Sequence, residues 1–138
     1  MKKEFELELT NLDVLVKELK DIIKNEDTII ILRGDLASGK TTLVKSYVKS
    51  LGLSDLVTSP TFSLQAIYSN NIFHYDVYNK TLQEFISLGM LEEFEKEGIH
   101  FVEWGDEKLE TILKDYGYRV ILVEIEKKDN KRLYKINA

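Results

Sequence analysis

The sequence predicts an α/β fold with a mostly parallel central sheet, and three features carry that prediction. Strand-like and helical patterns alternate through the middle of the chain. One strand, Thr28 to Leu32, is a short β-branched apolar run without polar alternation, as expected of a strand covered on both faces. A glycine-bearing turn follows it and leads into a helical pattern. Further strands at the two ends of the chain read as antiparallel additions.

Phe5, Leu7 and Leu9 alternate with Glu4, Glu6 and Glu8, so the chain opens on a half-buried strand. Thr10 is placed to cap a helix over residues 11–24, where Leu12, Leu15, Val16, Leu19, Ile22 and Ile23 recur at helical spacing. After the buried strand, Leu43, Val44, Tyr47, Val48 and Leu51 mark a second helix, stopped by Gly52. Residues 62–69 and 72–78 read as strands joined at Asn70-Asn71. Thr81 and Glu84 form a capping box for a helix ending near Gly89. The acidic stretch Glu92 to Glu97 leads into a strand from Ile99 to Trp104. Asp106 opens a helix with Leu109, Ile112 and Leu113 on one face and Gly117 beyond its end. Two strands, Tyr118 to Glu126 and Lys131 to Ile136, complete the pattern.

Composition bounds the chemistry. The 138 residues make one domain, 1–138, large enough for a real core. The absence of cysteine excludes disulfides, thiolate zinc sites and cysteine nucleophiles, and two histidines are too few for a multi-histidine metal site. A net charge of −5 argues against a dedicated nucleic-acid binder, which needs a basic face. The N-terminus lacks the apolar stretch of a signal peptide, and no apolar run is long enough to span a bilayer. A soluble cytoplasmic protein is the expectation.

The turn after Leu32 reads Gly34-Asp35-Leu36-Ala37-Ser38-Gly39-Lys40-Thr41 and matches G-x-x-x-x-G-K-[ST], the phosphate-binding Walker A loop. The two glycines permit a backbone whose N–H groups point at phosphate oxygens, and the following helix adds its N-terminal partial charge. Lys40 would reach the β- and γ-phosphates, Thr41 would ligate Mg²⁺, and Thr42 would add an α-phosphate contact. The fold class becomes P-loop NTPase-like. Such a loop needs a carboxylate for the metal and a group that positions water. Asp76 and Glu103 both end apolar or aromatic strands, where ligands of open α/β sheets bind. Ser59-Pro60-Thr61-Phe62 stands where P-loop proteins often carry a switch segment, although Ser-Pro is equally a turn initiator.

These motifs together resemble the bacterial TsaE (formerly YjeE) family, small ATPases required for tRNA threonylcarbamoyladenosine biosynthesis. The resemblance runs through the Walker loop to Thr42, through Val57-Thr58-Ser59-Pro60-Thr61-Phe62, His74-Tyr75-Asp76-Val77-Tyr78, Leu88-Gly89 and Val102-Glu103-Trp104. It implies that Lys40, Thr41 and the loop backbone bind ATP, with Thr41 and Glu103 close to Mg²⁺. It implies that Asp76 is the Walker B aspartate needed for hydrolysis and that Trp104 sits beside the metal site. It also places Arg132 near the nucleotide and Thr10 near the adenine. Its members act with a TsaB–TsaD complex, so tRNA contact would be indirect, and no membrane partner is implied. Two positions depart from the pattern. Ala37 replaces the usual loop glycine, and Asn79 stands where the family commonly has arginine.

Two other functions fit parts of the sequence. A small-molecule P-loop kinase would want arginines for the transition state, but the chain has only Arg33, Arg119 and Arg132, none in a lid-like loop. A nucleotide-dependent assembly switch would use the same residues as the ATPase.

Overall fold

The computed structural model describes residues 1–138. It contains seven strands: β1 (Lys2–Leu7), β2 (Thr28–Arg33), β3 (Gln65–Tyr68), β4 (Ile72–Asp76), β5 (Ile99–Glu103), β6 (Val120–Lys128) and β7 (Lys131–Asn137). Four α-helices accompany them: α1 (Leu12–Ile23), α2 (Lys40–Ser50), α3 (Leu82–Ser87) and α4 (Glu107–Asp115). The strands form one sheet in the order β1-β7-β6-β2-β5-β4-β3. The four strands from β6 to β4 run parallel, while β7, β1 and β3 add antiparallel edges. This is the predicted α/β architecture with antiparallel additions. No helix is long and apolar enough to cross a membrane.

The apolar run of β2 is buried because it lies at the centre of the sheet. Ile30 and Leu32 face α1 and α2 in a cluster of 20 buried residues, while Ile29 and Ile31 face α3 and α4 in a cluster of 10. Both faces are thus dry, and β-branched residues fill the pleat between the helix layers.

Several local predictions hold for their stated reasons. Thr81 Oγ1 accepts from the Glu84 backbone at 3.1 Å, and Glu84 accepts from the Thr81 backbone at 3.0 Å, closing the capping box of α3. Asp106 caps α4 through Leu109 at 2.9 Å. Asn70 and Asn71 both take positive φ (60° and 55°), as a tight hairpin turn demands.

Others are corrected. β1 ends at Leu7, because the chain turns into a 3-10 segment at Leu9–Asn11 that leaves Leu9 exposed. Thr10 lies inside that segment and does not cap α1; the cap position is Asn11, which makes no side-chain capping bond. β3 is only four residues long, since Pro60 to Leu64 coil into a turn closed by Leu64 N–H to Pro60 C=O at 2.8 Å. The acidic stretch folds as a 3-10 segment, Met90–Glu95, that drives Phe94 into the core. Its charges stay on the surface while one aromatic anchors it.

Candidate nucleotide site

Parallel strands bring their carboxyl ends to one edge of the sheet, and the site is built there. Glu103 pairs with Leu32 on one side and Asp76 on the other, so both acids stand level with the end of β2. Side-chain alternation puts Asp76, Glu103 and His74 on the α2 face, whereas Phe73, Tyr75, His100 and Val102 face α3 and α4. Asp76 and Glu103 are each only 3% exposed.

The loop between β2 and α2 wraps this edge. Gly34 cannot be replaced without movement, because a Cβ there would lie 2.5 Å from Ser38 Oγ and 2.7 Å from the Ile125 carbonyl. Gly39 takes φ 112° at the start of α2, a conformation L-residues rarely adopt. Ala37 takes φ 61°, so the position where the family pattern has glycine is left-handed here too. Lys40 is folded inward, donating to the carbonyls of Gly34 at 2.6 Å and Asp35 at 3.1 Å, with Nζ 3.8 Å from the centre of the Trp104 ring. Burial lowers its ammonium pKa, against the opposing pull of the Glu103, Asp76 and Asp35 carboxylates.

A cleft of about 510 Å³ opens between the loop and the two acids, within the ~300–1,000 Å³ usual for small-molecule sites. Leu36 to Thr42 form one wall and Ser59, Thr61, Asp76 and Glu103 face them. Trp104 and Arg132 also line it, Arg132 Nε donating to the Ser38 carbonyl at 3.0 Å. Gly34 and Asp35 lie behind the loop, facing β6. Pro60 is buried outside the cleft, and Phe62 is 97% exposed, so neither lines it. Thr10 borders a neighbouring groove between α1 and α2, and Leu9 takes the place at the cleft rim.

Hydrogen bonds join the predicted residues into two groups. Thr41 Oγ1 donates to Glu103 Oε2 at 2.7 Å. Asp76 Oδ2 accepts from Ser59 and from Thr61, the latter at 2.9 Å, while Oδ1 accepts from the Tyr78 backbone at 2.9 Å. The segment 59–61 is therefore fastened to Asp76.

Sequence reasoning missed the roles of Leu9 and Tyr78 on the cleft wall and of His74 and Tyr68 behind it. Asn79 occupies the position of the family's arginine and opens on the cleft, which the departure itself signalled. Tyr78 packs on Trp104 with ring centres 4.6 Å apart. His74 lay within a quoted motif, but only the sheet register shows it touching Glu103.

The donor set fits a phosphate chain. Lys40 is a cation held against carbonyls that an anion would outcompete, and a Cβ at Gly39, where α2 begins, would meet nothing within 4 Å, so the backbone there is open to a ligand. No cluster of three or more His, Asp or Glu side chains can hold a metal alone. A hard divalent cation here would complete its shell with phosphate oxygens and water.

Comparison with known proteins identifies the family and the fold. The family model for the threonylcarbamoyl adenosine biosynthesis protein TsaE matches residues 8–134. The tRNA threonylcarbamoyladenosine biosynthesis protein TsaE of Treponema pallidum is 36% identical over 100 residues, 70% of this chain and 73% of the relative. That of Haemophilus influenzae is 33% identical over 114 residues, 80% of this chain and 70% of the relative. The crystal structure of Bacillus subtilis YdiB superposes with a TM-score of 0.71 at 22% identity, covering 100% of this chain and 86% of that one, which shows the shared fold. The chain belongs to the TsaE family, whose members take part in tRNA threonylcarbamoyladenosine biosynthesis.

Proposed function

We propose that this chain binds ATP with Mg²⁺ and hydrolyses it to ADP and phosphate in support of threonylcarbamoyladenosine formation on tRNA. It works in the cytoplasm with a TsaB–TsaD complex, which carries the tRNA. One observation supports this above the rest: a Walker loop with its inward-folded lysine faces two buried carboxylates across a single cleft.

Backbone N–H groups of the loop would hold the phosphates. Lys40 would leave its carbonyls for the β- and γ-oxygens, where its charge offsets what develops as the bond to the leaving oxygen lengthens. Thr41 gives its proton to Glu103, which turns the hydroxyl's lone pairs toward the cleft and suits it, with Glu103, to hold the metal side of the site. Asp76 would orient water once Ser59 and Thr61 release it. Mg²⁺, when bound, supplies charge neutralisation at the phosphate oxygens. Arg132 and Trp104 shape the wall.

A second reading, an assembly switch with incidental hydrolysis, draws on the fastening of residues 59–61 to Asp76, because phosphate oxygens that compete with Asp76 for the Ser59 and Thr61 hydroxyls would free that segment. The separating experiment measures ATP hydrolysis and tRNA modification with and without TsaB–TsaD, under single and multiple turnover, for wild type, Asp76→Ala and Glu103→Ala. The ATPase reading expects both variants to bind ATP yet fail at repeated turnover. Full multiple-turnover modification by a hydrolysis-dead variant would replace it with the switch.

A further inference from the structure

Behind the cleft lies a polar line that the predicted roles do not use. His74 is wholly buried in β4, and its Nε2 donates to Glu103 Oε2 at 2.6 Å. Its other ring nitrogen, Nδ1, lies in hydrogen-bond contact with the Tyr68 hydroxyl at 2.9 Å. Tyr68 OH also lies 3.4 Å from the Thr58 carbonyl, next to the segment fastened to Asp76. Both bonds to Glu103, from His74 and from Thr41, fall on the same oxygen, Oε2. The carboxylate is thus held on one oxygen, by Thr41 from the loop wall and by His74 from behind, and Oε1 is left for the cleft that Glu103 lines.

A buried imidazole between a tyrosine and a carboxylate is a costly arrangement in a core that apolar residues would fill more simply. Its geometry is that of outer groups that orient a carboxylate. We propose that His74 is a positioning residue for Glu103, itself oriented by Tyr68. The pair sets the carboxylate plane so that Thr41 and Glu103 meet Mg²⁺–ATP in register. This rests on the ATP and Mg²⁺ reading above. It does not depend on His74 changing its protonation.

The test compares wild type with His74→Gln, His74→Asn and Tyr68→Phe. A glutamine amide nitrogen reaches as far as Nε2 and still donates to Glu103; asparagine ends short of it. ATP affinity is measured by calorimetry in EDTA and in Mg²⁺, and kcat and KM for hydrolysis are measured with the TsaB–TsaD complex. In EDTA all four proteins bind ATP alike. In Mg²⁺, His74→Asn loses about 10- to 100-fold in the affinity gained from the metal and in kcat. His74→Gln restores most of it. Tyr68→Phe loses several-fold, because the ring keeps its bond to Glu103 but not its orientation.

Equal behaviour of the Asn and Gln variants, or an Asn variant like wild type, overturns the proposal. Should neither amide variant fold, Tyr68→Phe decides: a loss confined to the Mg²⁺ arm upholds it and wild-type values overturn it. A wild-type chain that binds no ATP is a different failure, which removes the nucleotide reading itself and this proposal with it.

Discussion

Two histidines are buried in this sheet, one on each face, and each lies beside a tyrosine hydroxyl. His74 has Tyr68 at 2.9 Å and gives its other nitrogen to Glu103, a carboxylate lining the cleft. His100 has Tyr75 at 2.7 Å and gives its other nitrogen to the Lys96 carbonyl at 2.8 Å, deep among Phe73, Tyr75 and Phe94. The pairing chemistry is the same and the acceptor differs. A neutral carbonyl satisfies the imidazole and ties the 3-10 segment to β5. A carboxylate at the edge of a cleft leaves charge to be used. Backbone strain follows the same division. Ala37 and Trp104 take φ of 61° and 68° in the cleft wall, while the other non-glycine residues of positive φ close turns or a helix end.

The largest expected effect separates the faces outright. Phe94→Ala removes an aromatic packed on Tyr75 and Phe85, and should cost about 3–5 kcal/mol of stability in urea unfolding. ATP affinity of the molecules still folded should not change. A tenfold loss of that affinity would show that the two faces are coupled.

On the other face, Lys40→Ala should weaken ATP binding by about 10- to 100-fold, because it deletes the mobile cation of the loop. Calorimetry giving an unchanged affinity would refute the role assigned to Lys40.

His100 should also respond to acid. Burial holds the His100 pKa below its ordinary 6.5, outweighing the Lys96 carbonyl and the Asp27 and Glu93 carboxylates that favour its cation. Between the lowered and the ordinary value the unfolded chain binds a proton that the folded chain does not. His100 therefore costs nothing above about pH 6.5 and destabilises increasingly as pH falls below it. Thermal melts at pH 7.5 and 5.5 should show a smaller drop for His100→Gln than for wild type, and equal drops would contradict this account.

The smallest effect tests the strain. Ala37→Gly should stabilise the protein by about 1 kcal/mol or less, since the backbone there is already left-handed. An unfolding midpoint that does not rise would mean that the loop holds no strain at Ala37.

Much of this molecule was legible in the sequence because its signals are local. The β2 run, the capping box at Thr81, the cap at Asp106, the Asn70-Asn71 turn and the Walker spacing each depend on residues within a few positions of one another. The errors arose where distant contacts overrule a local pattern. Leu9 continues the alternation of β1, yet the chain turns before it to pass the cleft. Residues 62–64 look like strand, but Leu64 bends so that its carbonyl can accept from the Asp76 backbone at 3.1 Å. Glu92 to Glu97 look like surface, and Phe94 within them is core.

By itself the sequence determined the α/β class, the loop that suits phosphate, and the two acids at strand ends, because periodicity and turn chemistry are properties of neighbouring residues. Only the tertiary structure decided which side chains share the cleft. Register between parallel strands sets Asp76 beside Glu103, and alternation then fixes their common face with His74. That pairing joins residues 29 positions apart, a distance over which no local pattern carries information and only the packing of the whole sheet selects the partner.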